Sequence, residues 1–257
     1  MRATLDALRA GGLVSCVADG REPVWLIGPD HQLAATCYRN SLIHFMLDTA
    51  LCELAVLRVF AGLGAGTDPV EAFWTEIGWL RDLLKFEFYF KDRDEHRRQV
   101  REDMNRHDPD WEELLRAGPG GADALLARMR PRVSHLLVRP FVEAYRLVAD
   151  VLAHDVLDHG ASADDASAYE AEVIRRALGL GRQYVAQRRL RSSESVSVLL
   201  FQTALALMRN RGLLEGGSDM AERRAVFLAE LRELLKRLDR IEDLAIRRYI
   251  RDAVRED

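Results

Sequence analysis

The sequence is poor in the features that mark secreted, metal-binding or membrane-spanning proteins. It has only three cysteines in 257 residues, Cys16, Cys37 and Cys52, without a Cys-x-x-Cys pair. This usage is typical of a reducing compartment and gives no metal-binding signature. No long apolar stretch follows a basic start at the N-terminus, and no window reaches the roughly 18 apolar residues of a membrane span. We therefore expect a cytoplasmic chain with no secretory signal and no transmembrane helix.

An excess of positive charge is also missing. Lys and Arg total 37 and Asp and Glu total 41, which gives a formal net charge of −4. Proteins that bind nucleic-acid phosphates usually carry a basic excess, so we expect no nucleic-acid partner. Hydrophobic residues make up 48% of the chain, which is enough for one large or two smaller domains with a real core.

The first 29 residues differ in pattern from the rest. A short helix is predicted at 4–10 and two short strands at 13–17 and 24–27, with turn chemistry between the strands. A helix followed by a β-hairpin is the second half of a winged-helix unit. We therefore predict two domains, a partial winged-helix-like element at 1–29 and a helical domain at 30–257.

Helical patterns fill the second predicted domain. Pro29-Asp30 predicts the start of a long helix, and Asp68-Pro69-Val70-Glu71 has the cap, proline and glutamate of a second helix start. Residues 91–110 carry many charges of both signs and are interpreted as a solvated helix face. Residues 118–121 are expected to form a loop.

The last predicted helix, 221–254, carries a seam of apolar residues at alternating spacings of four and three. They are Phe227, Leu231, Leu234, Leu238, Ile241 and Ala245. We expect this seam to pack within the molecule rather than to form a dimer. The predicted fold class is mostly α, a multi-helix bundle-like domain with a short N-terminal helix and β-hairpin.

One spacing matches a known catalytic pattern. His-x-x-x-x-Asp provides a general base and the carboxylate that fixes its tautomer in acyltransferases acting on glycerol phosphate, and His159 and Asp164 have this spacing. We interpret the match as chance, because it lies in a polar loop without an oxyanion or phosphate-clamping motif. The histidines and aspartates at 154–159 are likewise not interpreted as a metal site. A stand-alone enzyme using His159 and Asp164 is the least favoured hypothesis.

Six segments spread over nearly the whole chain carry a family resemblance. They are Ile27-Gly28-Pro29-Asp30, Tyr38-Arg39-Asn40-Ser41 with Ile43-His44-Phe45, Leu80 to Phe88, Arg139 to Tyr145, Ser193-Glu194-Ser195-Val196 and Asn210 to Leu214. In this order they resemble the C-terminal region of bacterial glycerol-3-phosphate acyltransferases, especially the actinobacterial branch. The resemblance implies a polypeptide that esterifies the first hydroxyl of glycerol 3-phosphate with an acyl thioester, opening phospholipid and triacylglycerol synthesis.

The family's catalytic domain precedes this region, and none of its catalytic blocks can be placed in the sequence. We therefore assign no catalytic residue, no cofactor and no metal ligand. The predicted role is a non-catalytic helical portion that scaffolds the catalytic domain, on the same polypeptide or in trans, and helps to seat it at the inner face of the cell membrane. Acyl-CoA or acyl carrier protein would be engaged only through that domain. The alternative is a helical regulatory or binding module with a winged-helix-like start.

The candidate site residues are polar positions within the family-like segments. For Tyr38, Arg39, Asn40 and His44 three interpretations stay open: a buried polar cluster that fixes helix packing, a docking surface for the catalytic domain, and a direct phosphate contact. Arg139 is expected to hold a helix kink at Pro140 by satisfying a carboxylate or freed carbonyl groups.

Overall fold

Helices make up most of the described structure, so the predicted mostly-α fold class is confirmed. The computed structural model describes residues 2–18, 23–28, 31–61, 63–64, 66–129, 132–154, 163–191, 193–215 and 218–255; side chains are described for these except at 2, 32–41, 163–165 and 248–255. The chain divides into two compact units, residues 1–46 and 47–257. The predicted division at residue 29 stays a prediction.

The first unit contains a short helix, a hairpin and the beginning of a long helix. The elements are α1 (Arg2–Ala10), β1 (Ser15–Val17), β2 (Val24–Leu26) and α2 (Gln32–Phe60), which continues into the second unit. The strands pair antiparallel with Cys16 opposite Trp25. This confirms the predicted helix and hairpin, whereas the predicted N-cap Asp30 lies outside the described residues.

The second unit is helical in its described part. Its helices are α3 (Pro69–Leu84), α4 (Arg93–His107), α5 (Trp111–Arg116), α6 (Pro119–Arg128), α7 (Ser134–Leu137), α8 (Arg139–Ala153), α9 (Ala163–Ala186), α10 (Val198–Asn210) and α11 (Met220–Arg255), with a 3₁₀ turn at Ser193–Ser195. The start of α3 follows the predicted chemistry, since the Asp68 carboxylate accepts a hydrogen bond from the Val70 amide at 3.2 Å.

Two proline positions correct the sequence-based expectations. The segment 118–121 is not a loop, because Pro119 opens α6 and Gly121 lies in its first turn. A Cβ on Gly121 would lie 1.9 Å from the Leu114 carbonyl oxygen, so only glycine lets α6 approach α5 this closely. The helix kink expected at Pro140 is not present, because Pro140 lies in the first turn of α8.

The highly charged α4 is not a wholly solvated helix. One of its faces is buried, and it includes the polar residues His96 and Asp103 together with Val100 and Met104. The interpretation of 91–110 as a solvated face was therefore wrong for these residues. Mixed charge hid the burial because only four residues of this helix turn inward.

The core of the second unit surrounds α8. This helix is buried along almost its whole length and packs on α7, α9, α10 and α11. The α11 seam supplies Phe227, Leu231, Leu234, Leu238 and Ile241, each no more than 4% exposed. Their burial within one chain confirms that the seam packs inside the molecule.

Candidate functional site

The polar residues singled out on α2 are only partly visible as side chains. Tyr38, Arg39 and Asn40 have helical backbone, and their side chains lie outside the described residues. His44 is exposed, with its ring 3.9 Å from that of Phe45. The three interpretations of this group therefore stay predictions.

Arg139 joins α8 to α11. Its guanidinium is almost wholly buried and donates to Asp239 at 2.8 Å and to Glu242 at 3.2 Å. Glu143 lies one turn further along α8, at 4.0 Å from the same guanidinium. The partners are carboxylates, as expected, but they lie about 100 residues away and hold two helices together.

A second charged residue of α8 binds the segment that follows α9. The Glu143 carboxylate accepts hydrogen bonds from the Ser195 hydroxyl at 2.6 Å and from the Arg191 amide at 3.5 Å. Burial raises the pKa of Glu143 above its ordinary value, and the bond from Ser195 partly offsets this rise. This carboxylate therefore fixes the connection between α9 and α10.

A third charged residue ties α8 to α11 again. Asp150 is 4% exposed and accepts hydrogen bonds from Arg232 at 2.7 Å and from Arg146 at 3.3 Å. Arg139, Glu143 and Asp150, the α8 polar seam, are spaced by four and seven residues and so lie along one side of the helix. We did not predict Glu143 or Asp150, although this spacing was a signal in the sequence.

Glu53 of α2 is a fully buried carboxylate that caps another helix. It accepts hydrogen bonds from the backbone amides of Val133 and Ser134, at 2.8 and 2.9 Å, where α7 begins. Burial raises its pKa to about 7 despite these two bonds and the nearby Arg132 cation, which lower it. The apolar surroundings of Glu53 in the sequence gave no hint of partners 80 residues away.

A further polar group connects α2 with α4. The His96 ring lies 3.1 Å from the Asp48 carboxylate, and the Asp103 carboxylate accepts a hydrogen bond from Thr49 at 2.8 Å. Asp103 also pairs with Arg106. These contacts satisfy the polar residues of the buried α4 face.

These arrangements hold helices together and have no evident catalytic geometry. Each carboxylate is matched to a cation, a hydroxyl or a backbone amide, and within the described ranges no three His, Cys, Asp or Glu side chains are grouped so as to hold a metal ion. The His159 and Asp164 pair cannot be placed, because the ring of one and the carboxylate of the other lie outside the described side chains. Among the described helices, none combines the length and apolar character that crossing a bilayer requires.

The fold and its contacts therefore define a helical body in which buried charged residues connect the helices. The family described as glycerol-3-phosphate acyltransferase C-terminal region matches residues 1–217, and the chain belongs to this family. The predicted family resemblance is thereby confirmed.

Its relatives in mycobacteria are longer proteins. The chain is 35% identical over 249 residues to "Putative acyltransferase plsB1" of Mycobacterium bovis, and equally to the proteins of that name in Mycobacterium tuberculosis strains CDC 1551 and H37Rv. The match covers 96% of this chain and 39% of each relative, so the chain spans about two fifths of their length. No solved structure matches the chain.

Proposed function

We propose that this chain is the non-catalytic helical portion of a glycerol-3-phosphate 1-O-acyltransferase and that it scaffolds the catalytic domain. The acyl thioester and glycerol 3-phosphate would then meet on that domain, and acyl-CoA or acyl carrier protein would be bound only there. The family membership supports the reaction class, and the greater length of the relatives supports a catalytic domain on the same polypeptide. The location we propose is the cytoplasm, with peripheral contact at the inner face of the cell membrane.

An exposed apolar face on α2 is the observation that carries the scaffolding role. Phe45 is 73% exposed, Leu42 55% and Met46 42%. Spacings of three and four residues place Leu42 next to Phe45 and Met46 on one side of the helix, and we name these three residues the α2 apolar face. Adjacent large apolar side chains in water are typical of a surface that a partner covers.

The α2 apolar face lies in the same family-like segment as the predicted docking residues, and His44 stacks against Phe45 within it. The occupant we propose is the catalytic domain, because the relatives contain more than half of their length outside the matched region. The described buried charges all serve contacts between helices, which supports a supporting rather than a chemical role.

The test is capture of the remaining part of an acyltransferase. The part of the Mycobacterium tuberculosis relative that this chain does not match would be immobilised, and binding of this chain to it would be measured. The relative's own matched region would serve as the reference ligand. We expect Phe45→Ser to weaken binding about tenfold, because burying an aromatic ring on association contributes ~1.5–3 kcal/mol. Leu199→Ser, which changes a 69% exposed leucine of α10, should leave binding unchanged.

Turnover of glycerol 3-phosphate with an acyl thioester would be measured in parallel. The chain alone should be inactive, and its addition should raise the activity of the unmatched part. Equal weakening by Phe45→Ser and Leu199→Ser would refute the α2 apolar face as the docking surface. Turnover by the chain alone that His159→Ala abolishes would refute the non-catalytic role.

A further inference from the structure

The loop between α3 and α4, residues 85–92, is held firmly on its inner side. Glu87 accepts a hydrogen bond from the buried Tyr145 hydroxyl of α8 at 3.1 Å. Phe88 packs edge-on against Phe141 with ring centroids 5.0 Å apart. Together with Phe90, these residues fix the loop backbone against the core of the second unit.

Between these anchors, two aromatic side chains turn outward. Tyr89 is 91% exposed and Phe86 is 39% exposed. The contacts of residues 87, 88 and 90 fix the loop backbone, and this backbone directs the Tyr89 side chain outward. Single exposed side chains are common, so Tyr89 points to a contact outside the chain only together with Phe86 and the basic residues beside the two rings.

Basic residues flank the aromatic pair. Lys85 lies with its ammonium 5.6 Å from the Phe86 ring centroid, and Lys91 follows on the other side. Residues 81–101 contain seven Lys or Arg against five Asp or Glu, in a chain whose net charge is −4. This stretch therefore has two more basic than acidic residues, whereas the whole chain has four more acidic than basic residues.

The acidic neighbours of the loop are already engaged. The Asp92 carboxylate caps α4 by accepting a hydrogen bond from the Glu95 amide at 2.9 Å. The Glu95 carboxylate accepts a hydrogen bond from the Lys91 ammonium at 3.1 Å. Asp82 lies within 4.0 Å of both Arg81 and Arg93. A fourth acid, Glu87, is turned inward, and burial raises the pKa of its carboxyl. Lys85 has no acidic partner among these contacts.

We propose that the 85–92 loop is a membrane contact: Tyr89 and Phe86 enter the headgroup region of a bilayer, and Lys85 binds the phosphates of anionic lipids. This inference rests on the peripheral location stated under the proposed function and names the surface responsible. Tyrosine favours the membrane–water interface because its ring is apolar and its hydroxyl is polar, and basic residues beside it gain from the negative surface potential.

The size of the surface favours a bilayer over a protein partner. Two aromatic side chains bury ~150–250 Å² each, well below the roughly 1,000 Å² of a specific protein interface. A membrane contact needs no such area on the loop, since a few aromatic and basic side chains suffice for reversible attachment.

The test is sedimentation of the purified chain with vesicles of phosphatidylcholine and phosphatidylglycerol, compared with phosphatidylcholine alone. We expect binding to the anionic vesicles, about tenfold weaker for Tyr89→Ser. Lys85→Gln should weaken it about fivefold on anionic vesicles and have no effect on neutral ones. Leu199→Ser removes a 69% exposed apolar side chain far along the chain and should leave binding unchanged.

A second readout keeps the result independent of small losses of stability. Tryptophan emission of Tyr89→Trp, corrected for the emission of the unaltered chain, should shift to shorter wavelength with anionic vesicles and be quenched by brominated lipid. Absence of vesicle binding, or equal losses for Tyr89→Ser and Leu199→Ser, would overturn the proposal. The proposal would also be overturned if Tyr89→Ser bound vesicles normally but bound the catalytic part more weakly, since the loop would then contact protein. Phe45→Ser should retain vesicle binding, which separates this test from that of the scaffolding role.

Discussion

The buried Glu53 carboxylate predicts a particular dependence of stability on pH. In the folded chain its pKa is raised to about 7, whereas an unfolded chain should show the ordinary value of 4.5. The folded state therefore holds a proton on Glu53 over a pH range where the unfolded state has lost it. Because the folded state binds more protons there, the free energy of unfolding falls as the pH rises through this range.

The magnitude follows from the difference between the two pKa values. A stabilising contribution that is fully present below about pH 4.5 is lost by the time the pH passes about 7. Each unit corresponds to ~1.4 kcal/mol, so the contribution should decline by about 2.5 kcal/mol between pH 5 and pH 8. Glu53→Gln keeps the shape of the side chain and removes the titration.

The assay is urea unfolding followed by circular dichroism at several pH values for the unaltered chain and for Glu53→Gln. The difference in free energy of unfolding between the two should decline with rising pH, which cancels contributions from other carboxyls such as Glu143. Glu102→Gln changes an exposed carboxylate and should give a constant difference. A constant difference for Glu53→Gln as well would refute the assigned burial and capping of this carboxylate.

Two further predictions concern helix contacts. Arg139→Ala should lower the free energy of unfolding by roughly 2–4 kcal/mol, because it removes a buried cation beside Glu143 and the tie from α8 to Asp239 and Glu242 of α11. Arg93→Ala, with a side chain 81% exposed, should change the free energy of unfolding by less than about 0.5 kcal/mol. Equal effects would contradict the buried tie. Gly121→Ala should lower the free energy of unfolding by roughly 1–3 kcal/mol, since the new Cβ would collide with the Leu114 carbonyl. Gly120→Ala, with open space around it, should leave the free energy of unfolding unchanged or raise it by about 0.5 kcal/mol. Both pairs can be ranked by their urea unfolding midpoints, and a Gly121→Ala chain as stable as Gly120→Ala would show that α5 and α6 are not in contact at this point.

Local chemistry was readable from the sequence. The Asp68 cap depends only on its own side chain and an amide two residues away, and the α11 seam depends on a periodicity within one helix. All the residues involved in such signals are close in sequence, so the pattern can be recognised without the structure. The hairpin at the start of the chain was predictable for the same reason.

The buried charges could not be predicted because their partners are distant in sequence. Glu53 is paired with amides about 80 residues away, and Arg139 with carboxylates about 100 residues away. The spacing of Arg139, Glu143 and Asp150 places them on one side of α8, but it does not identify the distant residues that bind them. Pro119 and Pro140 misled us in another way, since a proline that ends one helix and a proline that begins the next have the same local pattern.

The long helix α11 lies outside the stretch that defines the family, which stops at residue 217. Yet it closes the central helix α8 and supplies the counter-charges for two of its three buried polar residues. The family match and the packed helical unit therefore end at different residues, although the mycobacterial relatives align over 96% of the chain. A chain trimmed to the family's limits would expose the side of α8 that α11 covers, and Arg139 and Asp150 would lose their partners Asp239, Glu242 and Arg232. A domain boundary placed at the end of the family match would separate α11 from the helix α8 on which it packs.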